Sequence, residues 1–491
     1  MRALHRLLAL LFTAVLLSCG GGADVVGLGG SSSGGGVGTG GTGIVAGAIT
    51  GLGSVIVEDV RFDESQAVLE SRPDLLRTTT LALEDLHIGQ YAYLDLDAAG
   101  VPSRVRVESQ LVGAVAAPDA AARRFTVWGQ PVAVNADPGQ GPVTVFSGFT
   151  SVADMRAGDP VQVYGVLQAG VGGGDLLRAT RIEKLAAVGA LPARVTGTLQ
   201  AGSGTSLLLA GRPLDVSGAT GVPALAAGTP VIAVVPWTAQ LPASWQASAV
   251  ALLAPPATPS LRVSGAVHLL PGGRAVVQGV EVDLSALAQA DRDEVREGSY
   301  LTVQGRSRGN DGRQADAARI EALPQGGRSA ELRGSITSVT GTTSFVVRGQ
   351  AIDASAAQFS GGTAANLAVG AYVEVEGVQT ASGVAARRVN IPGLPPERAV
   401  LELSGTVQSV DAAGRQARLL ARDGRVIELV LPAGSALPGV GDAVRVEGYW
   451  DGSRLQVREF GAERSGSTGE GASRTGGTSG GTDDRTRAAH S

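Results

Sequence analysis

Gly441-Asp-Ala-Val-Arg-Val-Glu-Gly448 alternates apolar and polar residues between two glycines, and it recurs along almost the whole chain. Its counterparts are GDPVQVYG from Gly158, GSYLTVQG from Gly298 and GAYVEVEG from Gly370, with degraded copies GTPVIAVV from Gly228 and GQYAYLDL from Gly89. Period-two alternation describes a strand with one buried face. Recurrence of such a strand marks a repeat architecture rather than one large core. A second glycine, in the strand that opens each copy, keeps the same beat: Gly47, Gly113, Gly197, Gly265, Gly334 and Gly405.

Between these two landmarks lies an alternating hairpin, as in Phe125-Thr-Val-Trp-Gly129-Gln-Pro-Val-Ala-Val134, with analogues from Ser206, Ala275 and Ser344. Alternation around a glycine turn is a hairpin signature. A polar or short helical connection follows, seen from Ser151 and from Ala290, then the glycine-bounded strand, a turn and a closing strand such as Leu455–Glu459. Five strands, with a short helical link between the third and fourth, is the order of an OB-type small barrel. A different small barrel, or a meander packed on its neighbours, is the alternative. The expected fold is therefore all-β, with about six tandem five-stranded OB-like units in a beads-on-a-string array, each marginal alone at about 65 residues. The units fall at residues 43–110, 111–188, 189–255, 256–325, 326–393 and 394–460. Proline-rich links at Ala254–Pro259 and Pro392–Pro396 imply stiff, close spacing.

Residues 1–18 read as an export signal. Arg2 and Arg6 precede an apolar run of 11 residues, Leu7–Leu17, too short to cross a bilayer, which takes about 20. Cys19 follows directly and resembles the lipobox cysteine of bacterial lipoproteins, which implies a lipid (palmitate-bearing) anchor on Cys19. Gly20 after it implies the outer membrane, periplasmic or surface face. Cys19 is the only cysteine, so no internal disulfide is available. Residues 19–42 and 461–491, rich in glycine, serine and threonine, read as a flexible tether and a disordered tail.

The 72 glycines and 4% aromatics suit short strands and tight turns and leave few large core side chains. The net charge of −5 becomes two units more negative without Arg2 and Arg6. Such a chain has no basic footprint for nucleic acid.

The first copy, Gly47–Asp63, resembles bacterial proteins of the domain-of-unknown-function 5666 family, which look like tandem small β units behind an export signal. Members often carry Asn-Gly where this chain has Glu58-Asp59, a departure that weakens the tight turn. The family carries no established activity, so the resemblance implies architecture and location only.

Catalytic groups are sparse. His5 lies in the signal and His490 in the tail, while His87 and His268 occupy different units and different places within them. All four read as structural or surface residues. G-x-S-x-G at Gly30–Gly34 and Gly477–Gly481 lies in glycine tracts, without the strand and helix that a nucleophile elbow needs. Asp95-Leu-Asp97-Ala-Ala-Gly100 opens like a calcium loop but places Ala99 and Arg106 where ligands are required. It reads as a turn, as does Asn310-Asp311-Gly312. No Cys/His cluster suits a metal and no cofactor is expected. Trp128 and Trp450, at or beside hairpin turns, are the candidate ligand-contact platforms; Trp237 and Trp245 flank Pro242. The expected role is a non-enzymatic, lipid-anchored envelope scaffold or interaction module with a protein or glycan partner. The alternative is a binding protein for envelope glycan or another small ligand.

Overall fold

The computed structural model describes residues 43–462, except for 172–173, 239, 310–311, 324–327, 394, 396–398 and 423. The signal, Cys19, the tether, both G-x-S-x-G stretches, Asn310, Asp311 and the tail from residue 463 lie outside the described residues.

One pair of backbone hydrogen bonds repeats in six places. The glycine that opens each fourth strand donates its N–H to a carbonyl of the first-strand segment, and that residue's N–H donates back to the carbonyl of the residue following the glycine. The sets are Gly89 with Ile49, Gly158 with Val115, Gly228 with Leu199, Gly298 with Val267, Gly370 with Ile336 and Gly441 with Val407. All six glycines sit at φ between +74° and +93°, a region that side chains with a Cβ enter only at a cost. The glycine that ends the motif has a different reason. At Gly165, Gly305, Gly377 and Gly448 the fourth strand bulges against the fifth. A Cβ there would stand 2.0–2.4 Å from a fifth-strand carbonyl oxygen. The degraded copies from Gly89 and Gly228 lack this second glycine.

The sixth unit displays the ring most simply. Its first strand, Val400–Asp411, pairs antiparallel with Gln416–Ala421 and with Ala443–Trp450, while Val426–Val430 pairs in parallel with Leu455–Ala462, closing a five-stranded barrel. The same ring of pairings closes around the first strands Leu111–Asp119, Ser260–Leu270 and Ser329–Val339. Closure hides the strand edges of units too small to bury them otherwise. Between Ala193 and Leu252 the ring is interrupted into short ladders. Between Gly43 and Val107 the closing strand pairs with Val68–Ser71, and no ladder joins it to Val60–Phe62 among the described residues. The connection before the fourth strand is an α-helix in the fourth unit, Gln289–Glu294. It shrinks to single 3₁₀ turns at Leu83–Asp85, Val152–Asp154 and Ala364–Asn366.

The string of beads is where the arrangement differs from the sequence reading. Gly43–Ala46 pairs in parallel with Ser260–Val263 of the fourth unit, and Gly51 and Leu52 pair with Glu331 and Leu332 of the fifth. The first, fourth and fifth units thus share a continuous sheet of 18 strands. The second and third share another, of nine. Cores cross the borders as well: Ile49, Val57 and Leu94 pack with Leu332, Phe345 and Val375, while Phe125 and Trp128 pack with Val195 and Trp245. Alternation in sequence dictates which face of a strand is buried, whereas its edges remain free to accept any strand of matching length.

Candidate functional site: the polar junctions between barrels

The hairpin between the second and third strands carries a residue at positive φ before its last turn position: Glu58 (+50°), Trp128 (+54°), Ala210 (+48°), Gln278 (+45°) and Arg348 (+50°). Each precedes Gly129, Gly211, Gly279 or Gly349, or in the first unit Asp59, also at positive φ. Two successive positive φ values match the right-handed twist of a tight hairpin. A non-glycine residue there costs on the order of 1–3 kcal/mol, so its side chain must return something. In four units it folds back over the first-strand glycine. A Cβ on Gly47 would lie 2.4 Å from Glu58 Cγ, and one on Gly113 would lie 2.1 Å from Trp128 Nε1. From there the side chain meets another unit.

Glu58 reaches two units at once. Its Oε1 accepts from the Ala48 amide (2.8 Å) and from the Tyr300 hydroxyl (2.5 Å), and its carboxylate pairs with Arg328. The Arg328 guanidinium stands 5.1 Å from the centre of the Tyr300 ring. Arg262 donates to the Glu58 carbonyl (3.3 Å) and to Glu321 (2.7 Å). The Glu58 and Arg328 side chains are 1% and 3% exposed. Burial opposes the Arg328 charge, but Glu58 and then Tyr300 and Asp59 outweigh it and raise its pKa. Burial, then Glu58, holds the Tyr300 hydroxyl well above its usual value. Burial also raises the Asp59 carboxyl, against Arg328.

The other turn residues are spent similarly. Gln278 accepts from the Leu167 amide of the second unit (3.0 Å), and Arg348 donates to the Leu83 and Leu86 carbonyls of the first (2.9 Å each). Trp128 donates to the Val112 carbonyl (2.7 Å), and its ring meets Trp237 and Trp245 edge-on at 5.7 and 6.2 Å. Trp128 and Trp450 are therefore not exposed platforms: they are 6% and 7% exposed and lie in hydrophobic cores. In these four units the residue at the hairpin turn points into a neighbouring unit rather than into solvent.

A second junction leaves an opening. Arg194 of the third unit is 2% exposed and donates to the carbonyls of Ser109 (2.7 Å), Pro73 (3.1 Å) and Arg72. Burial lowers its pKa, with Glu108 acting against that. Glu108 lies within 3.4–3.9 Å of Arg72, Arg106 and Arg194. Beside them runs a crevice of about 320 Å³ lined by Arg72, Gln90, Tyr164, Arg194, His87 and Arg458, among others. His87 is pushed down to about 3, first by burial and then by Arg181 and Arg348. It is neutral near pH 7, with one ring N–H as a donor and the other ring nitrogen as an acceptor. The arrangement can hold a small polar molecule through fixed hydrogen bonds. His268 stands apart with Glu297 (3.3 Å).

Asp97 accepts from the Ala99 and Val101 amides (2.8 and 2.9 Å), which makes the Asp95–Gly100 stretch a side-chain-bonded turn. Among the described residues no group of three or more His, Cys, Asp or Glu is placed to hold a metal ion. Among them, too, no helix is long and apolar enough to cross a membrane.

The family described as Domain of unknown function (DUF5666) matches residues 112–183 and 333–390, which are the closed rings of the second and fifth units. These two stretches are similar to that domain family. The first copy, on which the resemblance was read in sequence, lies outside both. No curated protein matches the chain.

Proposed function

We propose that the chain is an exported, non-enzymatic scaffold or interaction module of the cell envelope, held to the outer membrane by lipid on Cys19. The observation that carries this reading is where the charge goes. Glu58, Arg328, Tyr300, Glu108 and Arg194 are buried at borders between barrels, so the strongest polar interactions fix the units against each other. The sequence adds the leader, the cysteine directly after it and the glycine-rich tether. Interlocked units, rather than units strung in a line, present several fixed outer faces to partners. The anchor is tested by palmitate labelling and fractionation of cells expressing the chain. Label and membrane association that disappear in Cys19→Ser support it, and a label retained by that variant refutes it.

The crevice beside Arg194 favours a second reading, binding of a small envelope ligand such as a saccharide. Its lining of Gln90, Tyr164 and arginines is suited to hydroxyl-rich molecules. A thermal-shift panel of cell-wall fragments tests it. A response that vanishes in Arg72→Ala supports this reading, and no response across the panel rejects it.

A further inference from the structure

In three units the glycine that opens the fourth strand receives a donor from another unit. The Gly89 carbonyl accepts from Thr180, the Gly298 carbonyl from Arg178 (2.9 Å) and the Gly370 carbonyl from Arg425 (2.8 Å), in each case from another unit. Apolar neighbours of these points are covered. Ile88, beside Gly89, is 3% exposed, and Val369, beside Gly370, is half-buried. The corresponding points at Gly158, Gly228 and Gly441 receive no donor from a described residue of another unit, and of the three the one in the sixth unit has a large apolar neighbour left exposed. No described residue of another unit bonds Gly441, and an added Cβ there would meet nothing within 4 Å. Val440, in the place of Val369, is 68% exposed, and nearby Leu437 is 37% exposed.

Donor turns can be compared in the same way. Arg425, which docks on Gly370, follows the turn glycine Gly424; in the third unit Arg212 follows Gly211. The Ala210–Gly211 turn is the one whose positive-φ residue has no functional group to reach a neighbour, and nothing lies within 4 Å of an added Cβ on Gly211. Arg212 donates one N–H to the Pro242 carbonyl of its own unit (2.6 Å), and a guanidinium carries five donors. Asp442, exposed next to Gly441, supplies the opposite charge.

We propose that a second copy of this chain docks the Gly211–Arg212 turn of its third unit on the Leu437–Asp442 segment of the sixth, joining copies head to tail. The contact repeats the one between Arg425 and Gly370, with Asp442 added. Two different surfaces meet, so the association is heterologous and each pair leaves one donor and one receiver open. This names a partner for the interaction-module reading and rests on it only in that respect. It fails or stands independently of the anchor, because both partners are soluble once Cys19 is replaced.

Sedimentation velocity of the full chain carrying Cys19→Ser tests it across a range of concentrations. The average sedimentation coefficient is expected to rise with concentration. Adding Val440→Asp or Arg212→Ala should weaken association about tenfold or more, the change that 1.4 kcal/mol produces. Mixed in equal amounts, the two variants should form pairs and nothing larger, since each keeps one intact half. Circular dichroism melts check that the variants fold, and Leu437→Asp replaces any that does not. A parent chain that stays monomeric, variants that associate like the parent, or a mixture that forms no pairs overturns the proposal.

Discussion

Replacing Arg328 with methionine tests the claim that a buried charge cluster locks three units together. The methionine keeps the apolar stem and removes the guanidinium that pairs with Glu58 and covers the Tyr300 ring. Glu58 would retain the Ala48 amide and the Tyr300 hydroxyl as donors but would lose its counter-charge at 1% exposure. Breaking a buried pair from one side costs about 3–5 kcal/mol, and loss of a desolvated cation–π contact adds about 1–2. Glu58→Gln combined with Arg328→Met removes both charges and should cost clearly less than Arg328→Met alone, because no uncompensated charge remains. A chain of several units does not unfold in one step, so hydrogen exchange read segment by segment is the appropriate assay. Protection should fall by about three to five orders of magnitude, at 1.4 kcal/mol per decade, over Gly43–Leu52 and Ser260–Val263. It should be unchanged over Val400–Asp411, whose ring closes within its own unit. The reasoning fails if Arg328→Met exchanges like the parent chain, or if the double variant loosens these segments as much as the single one.

Gly113→Ala puts a methyl group 2.1 Å from Trp128 Nε1. It should destabilise the second and third units by about 1–3 kcal/mol through overpacking and shift tryptophan emission to the red as the indole leaves the Val112 carbonyl; unchanged emission and stability would contradict it. Arg348→Met removes two charge-assisted bonds to the Leu83 and Leu86 carbonyls. A loss of about 1.5–3 kcal/mol is expected, read as faster exchange around residues 83–90. His87 gives a pH dependence of known sign. Its folded pKa, about 3, lies below the unfolded 6.5, so the unfolded chain binds more protons between those values. Its contribution is complete above pH 6.5 and is lost as the pH falls toward 3, with a slope of at most about 1.4 kcal/mol per pH unit. His87→Asn should flatten the denaturation midpoint over that window, and an unchanged slope would refute the assignment.

The repeat was legible because each part of it serves local geometry. The opening glycine of G-x-x-V-x-V-x-G takes a positive φ, the closing one gives a bulge room, and alternating valines fill one barrel interior. All of these are properties of adjacent residues. What joins Gly43–Ala46 to Ser260–Val263 is a pair of free strand edges, and edges leave no trace in a hydrophobic pattern. The two tryptophans mark the same boundary. Trp128 looks exposed because it sits on a tip, yet the tip of one barrel is the interior of a junction. Glu58 was the one site residue with a local signal. Glu58-Asp59 stands where a tight turn favours Asn-Gly, and departure from a local rule is a mark of a residue used for something else. The turn forms all the same, at φ +50° and +65°, because the acid is held by Arg328 and Tyr300.

That position also explains how near-identical barrels find different neighbours. Ladder hydrogen bonds do not distinguish one unit from another, since all six share the same backbone pair between first and fourth strands. The turn residue does distinguish them: an acid at Glu58, an indole at Trp128, an amide at Gln278 and a guanidinium at Arg348. Each lies over a first-strand glycine and meets a different group, respectively a cation with a phenol, two further indoles, a backbone amide, and two backbone carbonyls. A wrong pairing would bury an unmatched charge or amide at a cost of several kcal/mol (about 1–3 for a neutral group and more for a charged one). Equal backbones with unequal tips therefore specify contacts out of sequence order, and the penalty for mispairing does as much as the attraction at the correct site.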